Sequence, residues 1–148
     1  MLYIRHAQQT HHALDPPIKI PFCPPNFNFD YDIIITSPYL RCRQTAILLN
    51  KNNKPIYVDV RISEFQGNKN YKHQFDSNTI PEPPYKETWQ EFVLRIDEHY
   101  DEISKLSQKV LIVTHGLVVK YLEEKLTGKI KYKRGRDVPN LNGFIISK

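Results

Sequence analysis

Five short apolar runs, each bounded by polar or turn-forming residues, recur along the chain. They are Leu2–Arg5, Asp32–Thr36, Pro55–Val60, Val110–Thr114 and Gly143–Ser147. Runs this short and this rich in isoleucine and valine are typical of strands rather than helices. The second and fourth runs lack polar alternation, which predicts strands that are buried on both faces.

Apolar residues at helical spacing occupy the longer segments between these runs. A first helix is predicted to begin at Ser37 and Pro38, because serine is a favoured N-cap and proline a favoured first helical residue. The longest helix is predicted over 86–107, and a third follows His115 and ends near Gly128. We expect the apolar stripe of the longest helix to pack in the core: Trp89, Phe92, Val93, Ile96, Tyr100, Ile103 and Leu106.

Strands that alternate with helices predict a single three-layer α/β/α domain over residues 1–148, with a mostly parallel central sheet. Ligands of such sheets bind beyond the carboxyl ends of the strands. Three of the predicted strands end in residues whose side chains could bind a ligand or take part in catalysis, namely Arg5-His6, Thr36-Ser37 and Thr114-His115. We therefore expect a functional site at this edge of the sheet.

Composition narrows the class of protein. Of the 148 residues, 40% are hydrophobic and 25% are charged, which is typical of a soluble globular protein. The first strand begins at Leu2, so no signal peptide is expected, and no apolar run is long enough to span a membrane. Cys23 and Cys42 are too few for a disulfide framework and favour a reducing, cytoplasmic compartment. The net charge of +5 is compatible with nucleic acid, a membrane surface or a phosphorylated molecule as partner.

The residues expected at the sheet edge suit phosphoryl transfer. Arg5-His6 and His115 each follow a strand directly, Arg41 lies one turn into a helix, and Glu64 comes just after the third apolar run. Arginine binds phosphate oxygens in a bidentate manner, and a neutral imidazole can attack phosphorus. A carboxyl group can protonate the leaving oxygen and then activate water. Such a set needs no cofactor and no metal ion.

Four segments in this order carry a further pattern. They are Arg5-His6-Ala7; 36–46, which reads Thr-Ser-Pro-Tyr-Leu-Arg-Cys-Arg-Gln-Thr-Ala; 61–67, which reads Arg-Ile-Ser-Glu-Phe-Gln-Gly; and 113–116, which reads Val-Thr-His-Gly. Together they resemble the four motifs of the histidine phosphatase (phosphoglycerate mutase-like) superfamily, branch 1, beginning with its Arg-His-Gly motif. The resemblance spans nearly the whole chain and implies a phosphoglycerate mutase-like fold.

The resemblance also implies a role for each matching residue. His6 would be the nucleophile that carries a phosphohistidine, and Glu64 would be the proton donor, with Asp59 as the alternative acid. The phosphate would be bound by three side chains: Arg5, Arg41 and His115. The activity implied is that of a phosphomonoester hydrolase acting on a phosphorylated small molecule or a polyanionic substrate.

The chain departs from the family's pattern after the first motif. Where the family often has Glu-Thr-x-x-Asn, this chain reads Gln-Gln-Thr-His-His, and we expect Gln9 and His12 to contact the substrate. His11 and His12 lack the further ligands of a zinc site. The family's first helix is expected to be missing around 16–30, because segment 19–25 is too rich in proline to be helical. The chain also lacks room for the insertions typical of mutases, which favours hydrolysis.

Residues 129–136, Lys-Ile-Lys-Tyr-Lys-Arg-Gly-Arg, form the basic segment of the chain. One interpretation is a solvated loop. The other is a rim that attracts a polyanionic substrate, with Lys131 and Arg134 as candidate contacts. The loop 66–85 is a candidate lid that sets specificity.

Three other functions stay open at the level of sequence. A phosphate-binding module that has lost turnover would keep the fold without hydrolysing a chromogenic ester. A nucleic-acid-binding protein would use the basic segment and show steep salt dependence, and a phosphorylated nucleic-acid end could equally be the substrate. A phosphomutase would transfer the phosphate to a second substrate hydroxyl instead of releasing it.

Overall fold

The computed structural model describes residues 1–10, 16–20, 28–67 and 86–147. Strands and helices alternate along this part of the chain, except that the first two strands have no helix between them among the described residues. The strands are β1 (Leu2–Arg5), β2 (Ile33–Thr36), β3 (Ile56–Val58), β4 (Val110–Thr114) and β5 (Gly143–Ile145), and the helices are α1 (Leu40–Leu49), α2 (Trp89–Ile103) and α3 (Gly116–Thr127). None of the helices within these ranges combines the length and the apolar character needed to cross a membrane.

The strands form one sheet in the order β3-β2-β4-β1-β5. The first four strands of the chain are parallel, whereas β5 runs antiparallel to β1. Arg5 lies opposite Thr114 in the register and Thr36 lies opposite Val113, so β1, β2 and β4 end at the same edge. The predicted mostly parallel sheet is confirmed, and three strand ends meet at one edge.

The sheet is covered on both faces, which confirms the predicted three-layer α/β/α architecture. Because successive side chains of a strand point to opposite faces, the neighbours Tyr3 and Ile4 enter different cores. Ile4 belongs to the core that contains Ala46 of α1. Tyr3 belongs to the core that contains Ile96 of α2 and Val118 of α3.

The first helix begins later than the sequence predicts. α1 starts at Leu40 with Tyr39 as N-cap, and not at Ser37. The backbone N–H of Ser37 donates to the carbonyl of Val113 (3.0 Å), and its hydroxyl contacts His115 Nε2 (2.8 Å). Ser37 therefore prolongs the sheet edge and holds a histidine, so its hydroxyl does not cap the helix.

The second helix is shorter than predicted at both ends. It begins at Trp89, because Thr88 and Glu91 form a capping box, and it ends at Ile103. The prediction that Trp89 packs in the core is wrong, since its position in the first turn leaves the residue 46% exposed. Its indole instead stacks on Phe92, with ring centroids 5.0 Å apart.

Part of the segment predicted to lack the family's first helix lies within the described residues. Neither 16–20 nor 28–30 is helical. Ile18 forms an antiparallel bridge with Gln9, and its N–H donates to the side-chain oxygen of Gln44 on α1 (2.9 Å). The intervening 21–27 lies outside the described residues, so the missing helix stays a prediction there.

Candidate active site

Three buried polar side chains gather at the carboxyl edge of the sheet. His6 follows β1, Arg41 lies in the first turn of α1, and His115 follows β4. His6 and Arg41 are each 3% exposed, and His115 is fully buried. The two imidazole rings lie 5.4 Å apart, centroid to centroid. The parallel topology thus brings together the predicted nucleophile and two of the predicted phosphate-binding residues.

Hydrogen bonds assign one protonation state to His6. The Nε2 atom of His6 accepts from Arg41 Nε (3.2 Å), and an arginine N–H can only donate. The ring proton therefore lies on Nδ1, which donates to the carbonyl of Ala7 (2.7 Å). Burial, and then the charge of Arg41, lowers the pKa of His6 to about 3. His6 is consequently neutral at physiological pH, with the Nε2 lone pair directed at the guanidinium.

Arg41 is the centre of the hydrogen-bond network. Its Nη2 atom forms an ion pair with Glu64 Oε2 and also donates to His115 Nδ1 (3.3 Å). The guanidinium lies over the Tyr39 ring, 4.6 Å from its centroid. One cation therefore contacts both histidines and the candidate acid.

His115 is fixed as a second neutral histidine. Because Arg41 donates to Nδ1, the proton lies on Nε2 and is donated to the Ser37 hydroxyl (2.8 Å). The Cys42 sulfur lies 3.6 Å from the same Nε2 atom. Burial, and then Arg41, holds the pKa of His115 well below its ordinary value.

The turn after His6 is held by Thr45 and Asn140. The Thr45 hydroxyl accepts from the Ala7 N–H (3.0 Å) and donates to the carbonyl of Arg41 (2.6 Å). The side-chain amide of Asn140 donates to the carbonyl of His6 (2.9 Å). These bonds join the turn after His6 to α1 and to the segment before β5, which restricts the position of the imidazole.

Glu64 is the exposed member of the group. Its side chain is 40% exposed, and Oε2 pairs with Arg41 and lies 3.8 Å from His115 Nδ1. Substrate can therefore reach this carboxylate from solvent. This position suits the role of proton donor that the sequence predicts for Glu64.

Asp59, the alternative acid, is engaged elsewhere. Its carboxylate accepts from His99 Nδ1 (2.8 Å) and pairs with Arg61 (2.8 Å). Burial alone would raise the pKa of Asp59, but the hydrogen bonds from His99 and Arg61 outweigh it and hold that pKa below its ordinary value. Neither His99 nor Arg61 belongs to the buried cluster of His6, Arg41 and His115, whereas Glu64 pairs with Arg41, so Glu64 is the better candidate.

Arg5 lines a cavity next to this cluster. Its Nη1 atom donates to the carbonyls of Arg136 (3.1 Å) and Val138 (2.5 Å). Its buried Nε atom has no hydrogen-bond partner among the described residues. The cavity has a volume of about 190 Å³, and its lining consists of Arg5, Glu64, Gly116, Leu117, Gly135 and Arg136. The predicted phosphate-binding arginine and the predicted acid thus face the same space.

Two glycines allow the close packing at the wall of this cavity. A Cβ atom on Gly116 would lie 2.0 Å from the carbonyl oxygen of Gly135, and one on Gly135 would lie 2.5 Å from the backbone nitrogen of Leu117. The basic segment therefore approaches the first turn of α3 backbone to backbone. This approach makes Arg136 part of the cavity lining.

The two candidate contacts in the basic segment are exposed and paired with acidic residues. Lys131 lies 3.4 Å from Glu123, and Arg134 pairs with Asp137 at 3.0 Å. Neither belongs to the cavity lining, whereas Arg136 does. Their role in substrate binding stays a prediction, and the structure adds Arg136 to the candidates.

The remaining candidates lie near the first motif. Gln9 is half-buried at the bridge to Ile18. His11 and His12 lie outside the described residues, so the prediction for His12 stays as it was. Among the described residues, no group of three or more His, Cys, Asp or Glu side chains could hold a metal ion.

Several residues support the site in ways that the sequence did not predict. Ser37 and Thr45 lie inside the second motif, so the motif itself was a signal. Asn140 and Gly135 carry no local signal, because their importance arises from contacts with residues that are distant in sequence: His6 for Asn140, and Gly116 and Leu117 for Gly135.

Comparison with known families agrees with the geometry. The profile of the histidine phosphatase superfamily (branch 1) matches residues 26–145 of the chain. The chain therefore belongs to this superfamily, which makes it a phosphoryl-transfer protein of the phosphatase and phosphomutase kind. The matched range begins after β1 and so does not include Arg5 and His6. These two residues belong to the site because His6 contacts Arg41 and His115, and because Arg5 lines the same cavity as Glu64.

Solved structures support the fold. An Escherichia coli K-12 protein, provisionally described as an alpha-ribazole-5'-P phosphatase, superimposes with a TM-score of 0.60 and 17% sequence identity. The superposition covers 86% of this chain and 78% of that one. A search of curated proteins finds no match. At this identity the likeness shows a shared fold.

Proposed function

We propose that the protein is a phosphomonoester hydrolase that forms a phosphohistidine at His6. The observation that carries the proposal is the state of His6: a neutral imidazole whose Nε2 lone pair faces Arg41, beside His115 and a solvent-accessible Glu64. Nucleophilic attack on a phosphate monoester requires a neutral imidazole next to cationic side chains that bind the phosphate.

In the first step, His6 Nε2 attacks phosphorus. The N–P bond forms as the bond from phosphorus to the ester oxygen breaks. Glu64, which carries a proton once the incoming phosphate has replaced it on Arg41, donates that proton to the ester oxygen so that an alcohol leaves. Arg5 and Arg41 bind the phosphoryl oxygens, with His115 beside them. The two guanidinium groups neutralise the developing charge, and so we propose turnover without a metal ion.

In the second step, water attacks the phosphohistidine. The Glu64 carboxylate takes a proton from this water, the N–P bond breaks, and inorganic phosphate leaves. Neutral His6 and protonated Glu64 are restored, so the cycle closes without any other reactant. A phosphomutase would differ only here, because a substrate hydroxyl would replace water as the acceptor.

The substrate is proposed to be a phosphorylated small molecule or a polyanion such as a phosphorylated nucleic-acid end. The cavity beside Glu64 contains Arg5 and Arg136, and the basic segment lies next to it. Cationic side chains around an entrance raise the local concentration of anionic substrates. A screen should include phosphosugars, nucleotides, 5'-phosphorylated oligonucleotides and alpha-ribazole-5'-P.

The decisive experiment measures hydrolysis of p-nitrophenyl phosphate in excess EDTA, from mildly acidic to neutral pH. We expect turnover by the wild type and a loss of about a thousandfold or more in His6→Ala. His99→Gln is the control, since His99 is also a buried histidine but bonds to Asp59 and not to Arg41 or Glu64. Rapid quenching with ³²P-labelled substrate should trap an acid-labile, alkali-stable phosphoenzyme in the wild type and in His99→Gln, but not in His6→Ala.

Two results would contradict the proposal. One is turnover that survives in a folded His6→Ala variant, because the nucleophile would then be elsewhere. The other is activity that disappears with EDTA and returns with a divalent metal. Release of inorganic phosphate, compared with formation of an isomeric phosphoester, separates hydrolysis from phosphomutase activity.

A further inference from the structure

The candidate acid lies on a segment that has no regular structure of its own. Glu64 follows the 3-10 turn Val60–Ile62, and residues 63–66 are neither helix nor strand. An acid can protonate a leaving group only while its carboxyl group stays within hydrogen-bonding reach of the ester oxygen. Some other element must therefore restrain this segment.

Arg95 of α2 contacts the segment from behind. Its Nη1 atom donates to the carbonyls of Arg61 and Ser63, the latter at 2.9 Å, and Nη2 makes a longer contact with the carbonyl of Glu64 (3.4 Å). The side chain is only 12% exposed. One guanidinium thus binds the backbone carbonyls of Arg61, Ser63 and Glu64. Within the described part of the chain, it has no hydrogen bond to a side chain that is proposed to touch a substrate.

Glu87 fixes the orientation of this guanidinium. Its two carboxylate oxygens accept from Arg95 Nε (2.8 Å) and Nη2 (2.5 Å), and its side chain is 4% exposed. The backbone N–H of Glu87 also donates to the carbonyl of Gly67 (3.1 Å). A buried bidentate pair therefore joins the start of α2 to both ends of the segment that carries Glu64.

We propose that Arg95, oriented by Glu87, is the positioning residue for the acid Glu64. This inference rests on the proposed function. When Arg95 is removed, the three carbonyls lose a charged donor, and the segment relaxes outward with Glu64. His6 keeps its own bonds, to the carbonyl of Ala7 and to Arg41 Nε, because neither of them involves Arg95.

A positioning role and a merely structural role differ in their dependence on the leaving group. A general acid helps most when the departing oxygen is strongly basic and helps little when it is a stabilised nitrophenolate. Loss of Arg95 should therefore reduce kcat/KM for an alkyl phosphate much more than for p-nitrophenyl phosphate. General loosening of the fold would reduce both alike.

The test compares kcat/KM of Arg95→Met with that of the wild type over a series of phosphate esters, from p-nitrophenyl through phenyl to an alkyl phosphate. For a phosphoenzyme mechanism, this constant reports the steps up to departure of the alcohol. We expect a loss of about tenfold to a hundredfold on the alkyl ester and of less than about threefold on p-nitrophenyl phosphate. Arg95→Lys should not restore the alkyl activity, because lysine lacks the planar fork.

Three further variants sharpen the test. Arg61→Met is the matched control, since this arginine pairs with Asp59 and Glu102 and should change all esters equally. Glu87→Gln keeps the volume of the partner and should show a smaller loss with the same ester dependence. In a Glu64→Gln background, Arg95→Met should add no further loss on the alkyl ester, because the acid that it positions is gone.

The outcomes separate cleanly. A steeper dependence on the leaving group in Arg95→Met and Glu87→Gln, at unchanged circular dichroism, supports the inference. Equal losses on every ester, or additive losses with Glu64→Gln, overturn it while the phosphohistidine mechanism stands. A wild type that forms no phosphohistidine overturns the proposed function, and this inference with it.

Discussion

The floor of the site and the basic segment 129–136 both carry positive charge, but they are built in opposite ways. On the floor, His6, Arg41 and His115 are buried, and each is fixed by hydrogen bonds from strand ends or the first turn of a helix. In the basic segment, Lys131 and Arg134 are mostly exposed and paired with nearby acidic residues.

This difference suggests that different parts of the site serve the reaction and the capture of substrate. Buried charges interact strongly because little water screens them, whereas exposed charges act weakly and are screened by salt. We therefore expect the floor to determine the reaction and the basic segment to modulate capture of the substrate. The following predictions test that division.

The largest effect is expected from Arg41. Arg41→Ala removes the cation that contacts both histidines and Glu64, and we expect kcat for p-nitrophenyl phosphate to fall about a thousandfold or more. Arg43→Ala, on the same helix but bonded to the carbonyl of Pro38, should stay within about threefold of the wild type. A loss below tenfold in Arg41→Ala would show that this residue does not bind the reacting phosphate.

Acid should destabilise the free protein through its buried histidines. The folded-state pKa of His6 is lowered to about 3 and that of His115 is also lowered, so the unfolded chain binds protons first as the pH falls. Each buried, neutral histidine therefore contributes to the free energy of unfolding. This contribution is fully present above about pH 6.5, and as the pH falls toward the folded-state pKa it decreases by about 1.4 kcal/mol per pH unit for each histidine.

Urea unfolding between pH 7 and pH 5 measures this loss. In His6→Asn, which cannot titrate in this range, the slope of the unfolding free energy against pH should fall to about half. An unchanged slope would mean that His6 is not buried in its neutral form.

A smaller effect is expected from Glu64, the junction between floor and solvent. Its carboxylate pairs with Arg41, where a phosphate oxygen would bind. Glu64→Gln should therefore bind inorganic phosphate more tightly, roughly tenfold, because a negative charge is removed next to the incoming anion. The measurement is competitive inhibition at neutral pH. Glu102→Gln, an exposed glutamate paired with Arg61, is the control, and equal inhibition of both variants would contradict the prediction.

The smallest effect is expected from the basic segment. Lys131→Ala and Arg134→Ala should raise KM for a polyanionic substrate about twofold to threefold at low salt, with kcat unchanged. High salt should abolish the difference. Lys109→Ala, which lies at the opposite edge of the sheet beside Asp30, should change nothing. A fall in kcat would place one of these residues in direct contact with the reacting group.

Much of the fold was predictable because local patterns reported it. The bounds of β1 and β4 agree with the apolar runs, and α3 ends at Gly128 as predicted, since its left-handed backbone (φ 69°) favours glycine. The predictions for Ser37 and Trp89 were wrong. Ser37 was placed by its N-cap preference and Trp89 by helical periodicity, and neither rule takes contacts with distant residues into account. The hydroxyl of Ser37 was needed by His115, and that partner is distant in sequence.

The sequence by itself determined the succession of strands and helices, the family and the candidate site residues, because short-range patterns and contiguous motifs encode these. Only the tertiary structure decided the protonated nitrogen of each imidazole, the preference for Glu64 over Asp59, and the support of the Glu64 segment by Arg95. The physical reason is that each of these depends on burial and on hydrogen-bond partners that lie many residues apart in the chain.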